Sequence, residues 1–424
     1  MLKNLILIIT FSQIIYSITL QELIEIGLEN SATLEKSRIQ IELIEAKQKE
    51  NRAKKLGEFD LVGSYNHYNL PRTLAPIVPS ALSPNSSVET TKDLFSTGVS
   101  YSVPLFTGGA IQEQIEIDNI SKIAQIKRKN LSKQEYIYNI RSLYLSGLSI
   151  QELILSQSNY IEAIEQLKSI ISTSVEVGKK AKIDYIKIDT MLKSEEGKLK
   201  SLNSSLKMVK SNLKAITHID DIDILEPISV KIEQSIESID ENLDSLDRFQ
   251  LQDLEIQKGQ RVQSKVEASL KPQVSLNGYL GYNYDIDNSI EKKQLWQVGL
   301  NLKWNIFDFN RDKARVQQAK IARLKSIIEK KVVGENFKKL IAKAINNIEE
   351  AIIEYNTNLA QINLLEETQN IEKARYDAGV ATLNDLIVAK AKTQLAKAKL
   401  IELQYKYQNG LYYLDYLLER GDKQ

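Results

Sequence analysis

The sequence predicts a mainly α-helical protein with a small β part: long antiparallel coiled-coil helices and four strands, in a chain that carries its own architecture twice. Three observations point there. Phe106 recurs as Phe307, Gly178 as Gly379, Asp184 as Asp385 and Leu199 as Leu400, always at an offset of 201. That register holds without insertion, and so long a period marks a duplication rather than a solenoid of short units. Only 17 glycines and 7 prolines interrupt 424 residues, which leaves room for very long helices. Finally, short segments before two of the helices alternate apolar and polar residues with the period of a strand.

The elements follow in chain order. Met1–Ser17 has the form of a secretory signal, with Lys3, the apolar run Leu5–Ile9 and Ser17 at the cleavage point; a buried first helix is the alternative. Thr19 and Glu22 form a capping box for a helix running to about Leu56. A strand is expected over Phe59–Leu70. A loop then holds Pro71, Pro76, Pro79 and Pro84, four of the 7 prolines, and clustering of that kind marks irregular backbone. A second strand covers Phe95–Phe106, and Thr107-Gly108-Gly109 turns the chain into a helix reaching about Val175. Gly178 breaks it, and a return helix runs to about Ile216.

Residues 218–245 are a connector in which Asp220, Asp221, Asp223 and Pro227 interrupt helical periodicity. The second copy repeats the order: a helix over Leu246–Leu270, strands over Val274–Asp285 and Leu295–Phe307, and helices over Arg311–Asp377 and Leu383–Leu418. The expected organisation is a signal at 1–17, a first repeat at 18–217, the connector at 218–245, a second repeat at 246–418 and a tail at 419–424.

Arg311–Asp377 is about 67 residues, or ~100 Å of helix at 1.5 Å per residue. Ile341, Ile345, Ile348, Ile352, Tyr355, Leu359 and Ile362 recur at alternating spacings of 4 and 3, the 3.5-residue seam of a left-handed coiled coil. The return helix offers Ala389, Ala391, Ala396 and Ala398, small enough for a close neighbour.

The strands discriminate between functions. Phe95, Thr97, Val99, Tyr101, Val103 and Leu105 alternate with Ser96, Gly98, Ser100 and Ser102. Trp296, Val298, Leu300, Leu302, Trp304 and Ile306 alternate with Gln297, Gly299, Asn301, Lys303 and Asn305. Val274, Leu276, Leu280, Tyr282 and Tyr284 form a third apolar series, although Tyr279 falls on the polar side. Small polar residues on one face and apolar ones on the other suit a membrane β-barrel, and equally a half-buried soluble sheet. Trp296 and Trp304 lie about 26 Å apart along a strand at ~3.3 Å per residue. A tilt near 40° reduces that to ~20 Å of depth, which suits two aromatic girdles. Four strands do not close a barrel, and an open edge leaves backbone amides without partners in lipid. A membrane reading therefore requires several protomers.

Composition excludes much else. The 56 basic and 55 acidic residues leave a net charge of +1, against a general nucleic-acid binder. With 0 cysteines there are no disulfides and no thiolate metal sites. No segment after the signal has the ~20 uncharged apolar residues of a spanning helix. The 2 histidines are His67 and His218; the latter with Asp220, Asp221 and Asp223 could hold a hard cation, but a flexible acidic linker is the simpler account. There is no phosphate loop, nucleophile motif or zinc helix, so no enzyme, cofactor or metal is expected.

The chain resembles the outer membrane efflux protein family, the TolC-like channels. The resemblance rests on the duplication, on Thr19-Leu20-Gln21-Glu22-Leu23, and on the junctions Val103–Gly109 and Trp304–Arg311. It rests also on Tyr376-Asp377-Ala378-Gly379-Val380-Ala381-Thr382-Leu383-Asn384-Asp385-Leu386. It implies a homotrimer in the outer membrane, each protomer giving four strands to a 12-stranded barrel and its helices to a periplasmic α-barrel. The connector would form an equatorial girdle. It further implies a periplasmic adaptor (membrane fusion) protein and an inner-membrane transporter as partners, in efflux or type I secretion.

The resemblance places Asp184 and Asp385 at the pore constriction of the periplasmic tip. Gly178, Lys179, Lys180, Gly379, Val380 and Ala381 fall in the tip turns that meet the adaptor. From the residues alone each aspartate also reads as a helix cap, and Lys179, Lys180 and Lys182 as a solvated charge run. Two positions depart from the family pattern: Val388 stands where some members place a second acid, and Ala381 where some place an arginine. A periplasmic coiled-coil adaptor or scaffold with a soluble β domain is the competing function.

Overall fold

The computed structural model describes residues 17–79, 83, 88–219, 222, 224–234, 243–285 and 292–421. The signal-like segment before Ser17, along with Pro84, Asp220, Asp221 and Asp223, lies outside the described residues. The chain divides into two compact units that cut across the sequence repeat. One comprises Met1–Lys36, Lys129–Asp247 and Gly334–Gln424, the other Ser37–Arg128 and Arg248–Val333.

The elements are β1 (Ser17–Ile18), α1 (Leu20–Asn30), α2 (Ala32–Ala53), β2 (Glu58–Thr73), β3 (Thr90–Phe106), α3 (Ala110–Glu176) and α4 (Lys182–Thr217). After them come β4 (Ile224–Leu225), α5 (Asp247–Ala268), β5 (Gln273–Asp285), β6 (Lys292–Lys303), α6 (Arg311–Asp377) and α7 (Leu383–Leu417). The two 67-residue helices have the length the sequence predicts. No helix among the described residues is long and apolar enough to cross a membrane.

Several boundaries differ from expectation for local reasons. The first helix is two, because Ser31 leaves helical geometry at ψ 108° and its hydroxyl accepts from Leu34 N at 3.4 Å. That is the side-chain alternative to an intrahelical bond that serine offers. β2 continues through Pro71 because the ladder slips there, between His67 and Arg72, on an edge strand where a missing donor is tolerated. β6 ends at Lys303, so Trp304 and Ile306 lie beyond the ladder; the Trp304 indole N–H instead donates to Leu270 O at 3.2 Å.

The strand-bearing unit holds one antiparallel sheet in the order β2-β3-β5-β6. Its central pairing, β3 with β5, joins a strand of one copy to a strand of the other.

Among the described residues of the helical unit, apolar side chains gather in a core around Tyr144 and in another beside the hairpin turns. The first gathers Leu23, Ile140, Tyr144, Leu148, Leu213 and Leu225. It also organises the connector, for β1 and β4 pair in parallel, Ser17 with Ile224 and Ile18 with Leu225. The Tyr144 hydroxyl lies 3.0 Å from Ile18 O and 2.7 Å from Glu226 O. Burial pushes that hydroxyl up to about 12. Gln151 brackets the same strand, donating to Leu225 O and accepting from Leu225 N, both at 3.1 Å. His218 is the left-handed C-cap of α4 (φ 57°), with its N–H on Lys214 O. Among the described residues no cluster of acids and histidines is placed to hold a metal.

The coiled-coil seam of α6 keeps its 3.5-residue period and is widened on one side by buried alanines. Of the expected seam Ile348, Ile352 and Ile362 are buried, and so are Ala344, Ala351 and Asn358 beside it, while Leu359 is exposed. Ala344 and Ala351 let a neighbouring helix approach closely between the buried isoleucines.

Candidate functional site: the sheet face and the two hairpin turns

The register of the sheet settles which side chains share a face, since directly paired residues point the same way. Phe59 pairs with Tyr101, Leu61 with Val99 and Tyr65 with Phe95. Val99 pairs with Leu280, Phe95 with Tyr284 and Val103 with Leu276. Leu280 pairs with Trp296, Gly278 with Val298, Leu276 with Leu300 and Val274 with Leu302. One face is therefore apolar across all four strands. Among the described residues nothing covers it at its margins: Leu61 is 84% exposed, Trp296 75% and Leu300 71%.

Aromatic side chains concentrate at two levels of that face. Phe59 stacks on Tyr101 at 4.3 Å, and the Tyr101 hydroxyl donates to Leu56 O at 2.8 Å. Toward the other end Phe95 lies 6.1 Å from Tyr284, and Tyr284 lies 6.2 Å from Tyr282. Trp296 sits between these levels, opposite Leu280.

The opposite face carries Ser96, Ser100, Ser102, Asn277 and Asn301. Tyr279 sits there because two glycines make room for its ring. Gly98 and Gly281 are cross-strand partners. A Cβ on Gly98 would stand 2.9 Å from the Tyr279 ring, and one on Gly281 2.3 Å from its hydroxyl.

The α3–α4 and α6–α7 turns belong to the helical unit and are built alike. Gly178 and Gly379 have φ +72° and +76°, the left-handed conformation that glycine adopts freely. Lys179 N donates to Ser174 O at 2.8 Å and Gly178 N to Val175 O at 3.0 Å. Val380 N donates to Arg375 O at 2.9 Å and Gly379 N to Tyr376 O at 3.0 Å. Both are Schellman motifs, which satisfy the last carbonyls of a helix while reversing the chain. An apolar cluster of Ile164, Leu167, Ile171, Ile188, Leu383 and Leu386 packs the two hairpins together next to the turns.

The aspartates that follow the turns differ. Asp385 closes a capping box on α7: its carboxylate accepts from Thr382 N at 2.9 Å and from the Thr382 hydroxyl at 2.7 Å, and Asp385 N donates back to Thr382 Oγ1 at 3.3 Å. The bonds from Thr382 hold the Asp385 carboxyl below the usual carboxylate range. Asp184 stands at the same position of α4, but the cap residue there is Ala181, which makes no side-chain cap bond. The capping role therefore holds for one copy only. Lys180 is not simply solvated either: its ammonium lies 4.0 Å from the centroid of the Tyr376 ring. Lys179 and Val380 are exposed, and Ala381 packs on the edge of the apolar cluster. Sequence reasoning missed Tyr376 as a functional partner; the visible signal was an aromatic residue three positions before a turn glycine.

Two stretches of the chain, residues 23–217 and 250–418, match the family described as outer membrane efflux protein. The chain belongs to that family. No curated protein matches it in sequence. In fold it is similar to a membrane protein from Pseudomonas aeruginosa, 17% identical, over 94% of this chain and 90% of that one, with a TM-score of 0.80. It is similar also to the CmeC outer membrane channel of Campylobacter jejuni, 17% identical, over 95% and 86%, with a TM-score of 0.78. The open state of the MtrE outer membrane channel of Neisseria gonorrhoeae, 16% identical, matches over 95% and 89% at a TM-score of 0.74.

Proposed function

We propose that the protein is the outer-membrane exit duct of a tripartite efflux or type I secretion system, conducting passively what an inner-membrane transporter delivers through a periplasmic adaptor. The observation that carries this reading is the apolar face shared by all four strands and left exposed by the chain. A soluble sheet would cover such a face with its own helices; in a membrane the lipid covers it.

The two sheet edges, β2 and β6, must then pair with other chains, because lipid offers no partner for their amides. Three protomers supply 12 strands, an even number within the range of outer-membrane barrels. On this reading most of the chain lies in the periplasm, where its helices line the conduit. Asp184 and Asp385 ring the periplasmic constriction, and three copies of each attract cations. The tip turns at Gly178–Lys180 and Gly379–Ala381 meet the adaptor. The apolar sheet face meets lipid, with Trp304 and the two aromatic levels at its margins and Trp296 within the band.

Membrane fractionation and planar-bilayer recording test the proposal together. The expected outcome is a trimer extracted only by detergent that forms channels. Replacing both Asp184 and Asp385 with Ala should weaken cation block or selectivity. Recovery of folded, soluble monomer from the periplasm would reject the duct in favour of a periplasmic scaffold.

A further inference from the structure

The two hairpins of the strand-bearing unit share one register. In the first, Phe59 pairs with Tyr101 and Tyr65 with Phe95. In the second, Val274 pairs with Leu302 and Leu280 with Trp296. Tyr101 and Phe95 recur as Leu302 and Trp296 at the offset of 201, so Phe59 corresponds to Val274 and Tyr65 to Leu280. The preceding helices give the same correspondence independently. α2 and α5 are each 22 residues long and end at Ala53 and Ala268, as far apart in sequence as Tyr65 and Leu280.

In the order β2-β3-β5-β6 the middle junction, β3 with β5, joins the hairpins. β6, the counterpart of β3, and β2, the counterpart of β5, lie at the edges. Each edge is thus a copy of one half of a junction already formed. Edge strands offer unpaired amides and carbonyls to another strand, and complementary halves on opposite edges join head to tail into a closed ring. In the β3–β5 junction Val99 pairs with Leu280, Ser100 with Tyr279 and Ser102 with Asn277. Carried to the edges, those pairs become Leu300 with Tyr65, Asn301 with Ser64 and Lys303 with Val62. The faces agree, for Leu300 and Tyr65 lie on the apolar face and Asn301 and Ser64 on the other. A slip of one residue would reverse that match.

We propose that β6 of one protomer pairs antiparallel with β2 of a second copy in the register of the β3–β5 junction, setting Leu300 against Tyr65, Asn301 against Ser64 and Lys303 against Val62. The assignment rests on the duct reading, which leaves both edges to other copies of this chain. It spans β2 as far as His67, where the ladder with β3 slips. Below the ladder the likeness ends. A Cβ on Gly108 would stand 2.1 Å from Ala268 O, yet its counterpart Phe309 keeps the left-handed backbone (φ 56°) with a full side chain. The second copy's α2–β2 elbow must therefore stand farther from Phe309 than the α5–β5 elbow stands from Gly108.

With 0 native cysteines, engineered pairs report the register by disulfide formation. Ser64→Cys and Asn301→Cys are combined in the full-length protein, oxidised in native membranes and run on denaturing gels without reductant. Opposite edges of one sheet lie roughly 14 Å apart across three strand spacings, so any bridge joins two copies. The expected result is a covalent oligomer that reduction returns to monomer. Its yield should be at least about tenfold above that of Asn301→Cys combined with Val62→Cys or with Asn66→Cys. Those staggered pairs stand roughly 7–8 Å apart, beyond the ~6.8 Å that a disulfide spans between Cα atoms. A staggered pair that bridges as well or better overturns the register and leaves the duct standing. So does a detergent-extracted oligomer in which none of the three pairs bridges. Soluble monomer without a bridge overturns register and duct together. If the Ser64→Cys and Asn301→Cys combination fails to assemble, Val62→Cys with Lys303→Cys decides, and absence of its bridge overturns the register.

Discussion

The Lys180 ammonium lies over the Tyr376 ring, 4.0 Å from its centroid, and so links the α3–α4 turn to the last turn of α6. Tyr376 is only 7% exposed, which makes its π face a poorly solvated seat for a cation. Contacts of this type contribute about 0.5–2 kcal/mol. Replacing Lys180 with Ala should speed amide exchange at Lys179, Lys180 and Ala181, and Tyr376→Leu should do the same. The two together should add little beyond either alone, whereas Tyr376→Phe should keep the protection. Additive effects would show that the residues act separately.

The missing cap at the first turn is a second point of test. Asp184 already occupies the third helical position, where its counterpart Asp385 closes a box with Thr382. Ala181→Ser would supply the absent partner. It should stabilise the α4 start by about 1 kcal/mol, while Thr382→Ala should destabilise the α7 start by about as much. Amide exchange over the first turn of each helix reads both.

The cap of α7 also carries a pH signature. Its hydrogen bonds lower the Asp385 pKa in the fold, so the carboxylate favours the folded turn at every pH above the unfolded value of about 3.9. That contribution disappears as pH falls through the folded value. The first turn of α7 should therefore lose protection on acidification below about pH 4. Thr382→Ala should flatten that dependence.

Gly98 and Gly281 face each other where β3 and β5 pair. A Cβ on Gly98 would meet Leu280 O at 2.6 Å, and one on Gly281 would meet Thr97 O at 2.4 Å. Those are backbone atoms, which yield only by distorting the ladder. Gly98→Val and Gly281→Val should each abolish assembly of heat-resistant oligomer on gels, and removing the Tyr279 ring should not rescue them. Gly299, where a Cβ would have no neighbour within 4 Å, should accept Ala.

The two faces of β6 predict opposite responses to charge. Leu300→Arg places a guanidinium on the apolar face and should destabilise membrane insertion by about 2–4 kcal/mol if it lies at mid-bilayer. Gln297→Arg, on the other face, should insert normally. Equal effects on recovery in the membrane fraction would count against lipid contact.

Much of this was legible in sequence because it rests on periodicity. The duplication pointed to both 67-residue helices and both turn glycines, since glycine at a left-handed position leaves a local trace. The faces of three strands were equally visible, being a matter of alternation, while in β2 only Phe59, Leu61 and Tyr65 hinted at one. What escaped depended on contacts distant in the chain. Tyr279 breaks the alternation of β5, and only the Gly98–Gly281 pair across the ladder accounts for it. Trp304 continues the alternation of β6 but leaves the ladder for the Leu270 carbonyl. Asp184 and Asp385 are identical by position and differ through a neighbour three residues back, Ala181 against Thr382.

The two-residue pairing of Ser17–Ile18 with Ile224–Leu225 has a bearing on how the gene product matures. The join between the two copies is here paired with Ser17, the last residue of the expected signal, and with Ile18, the first residue after it. A signal left uncut, or an affinity tag fused just ahead of Ile18, would load extra mass onto that stitch. Epitope insertions for this protein belong elsewhere.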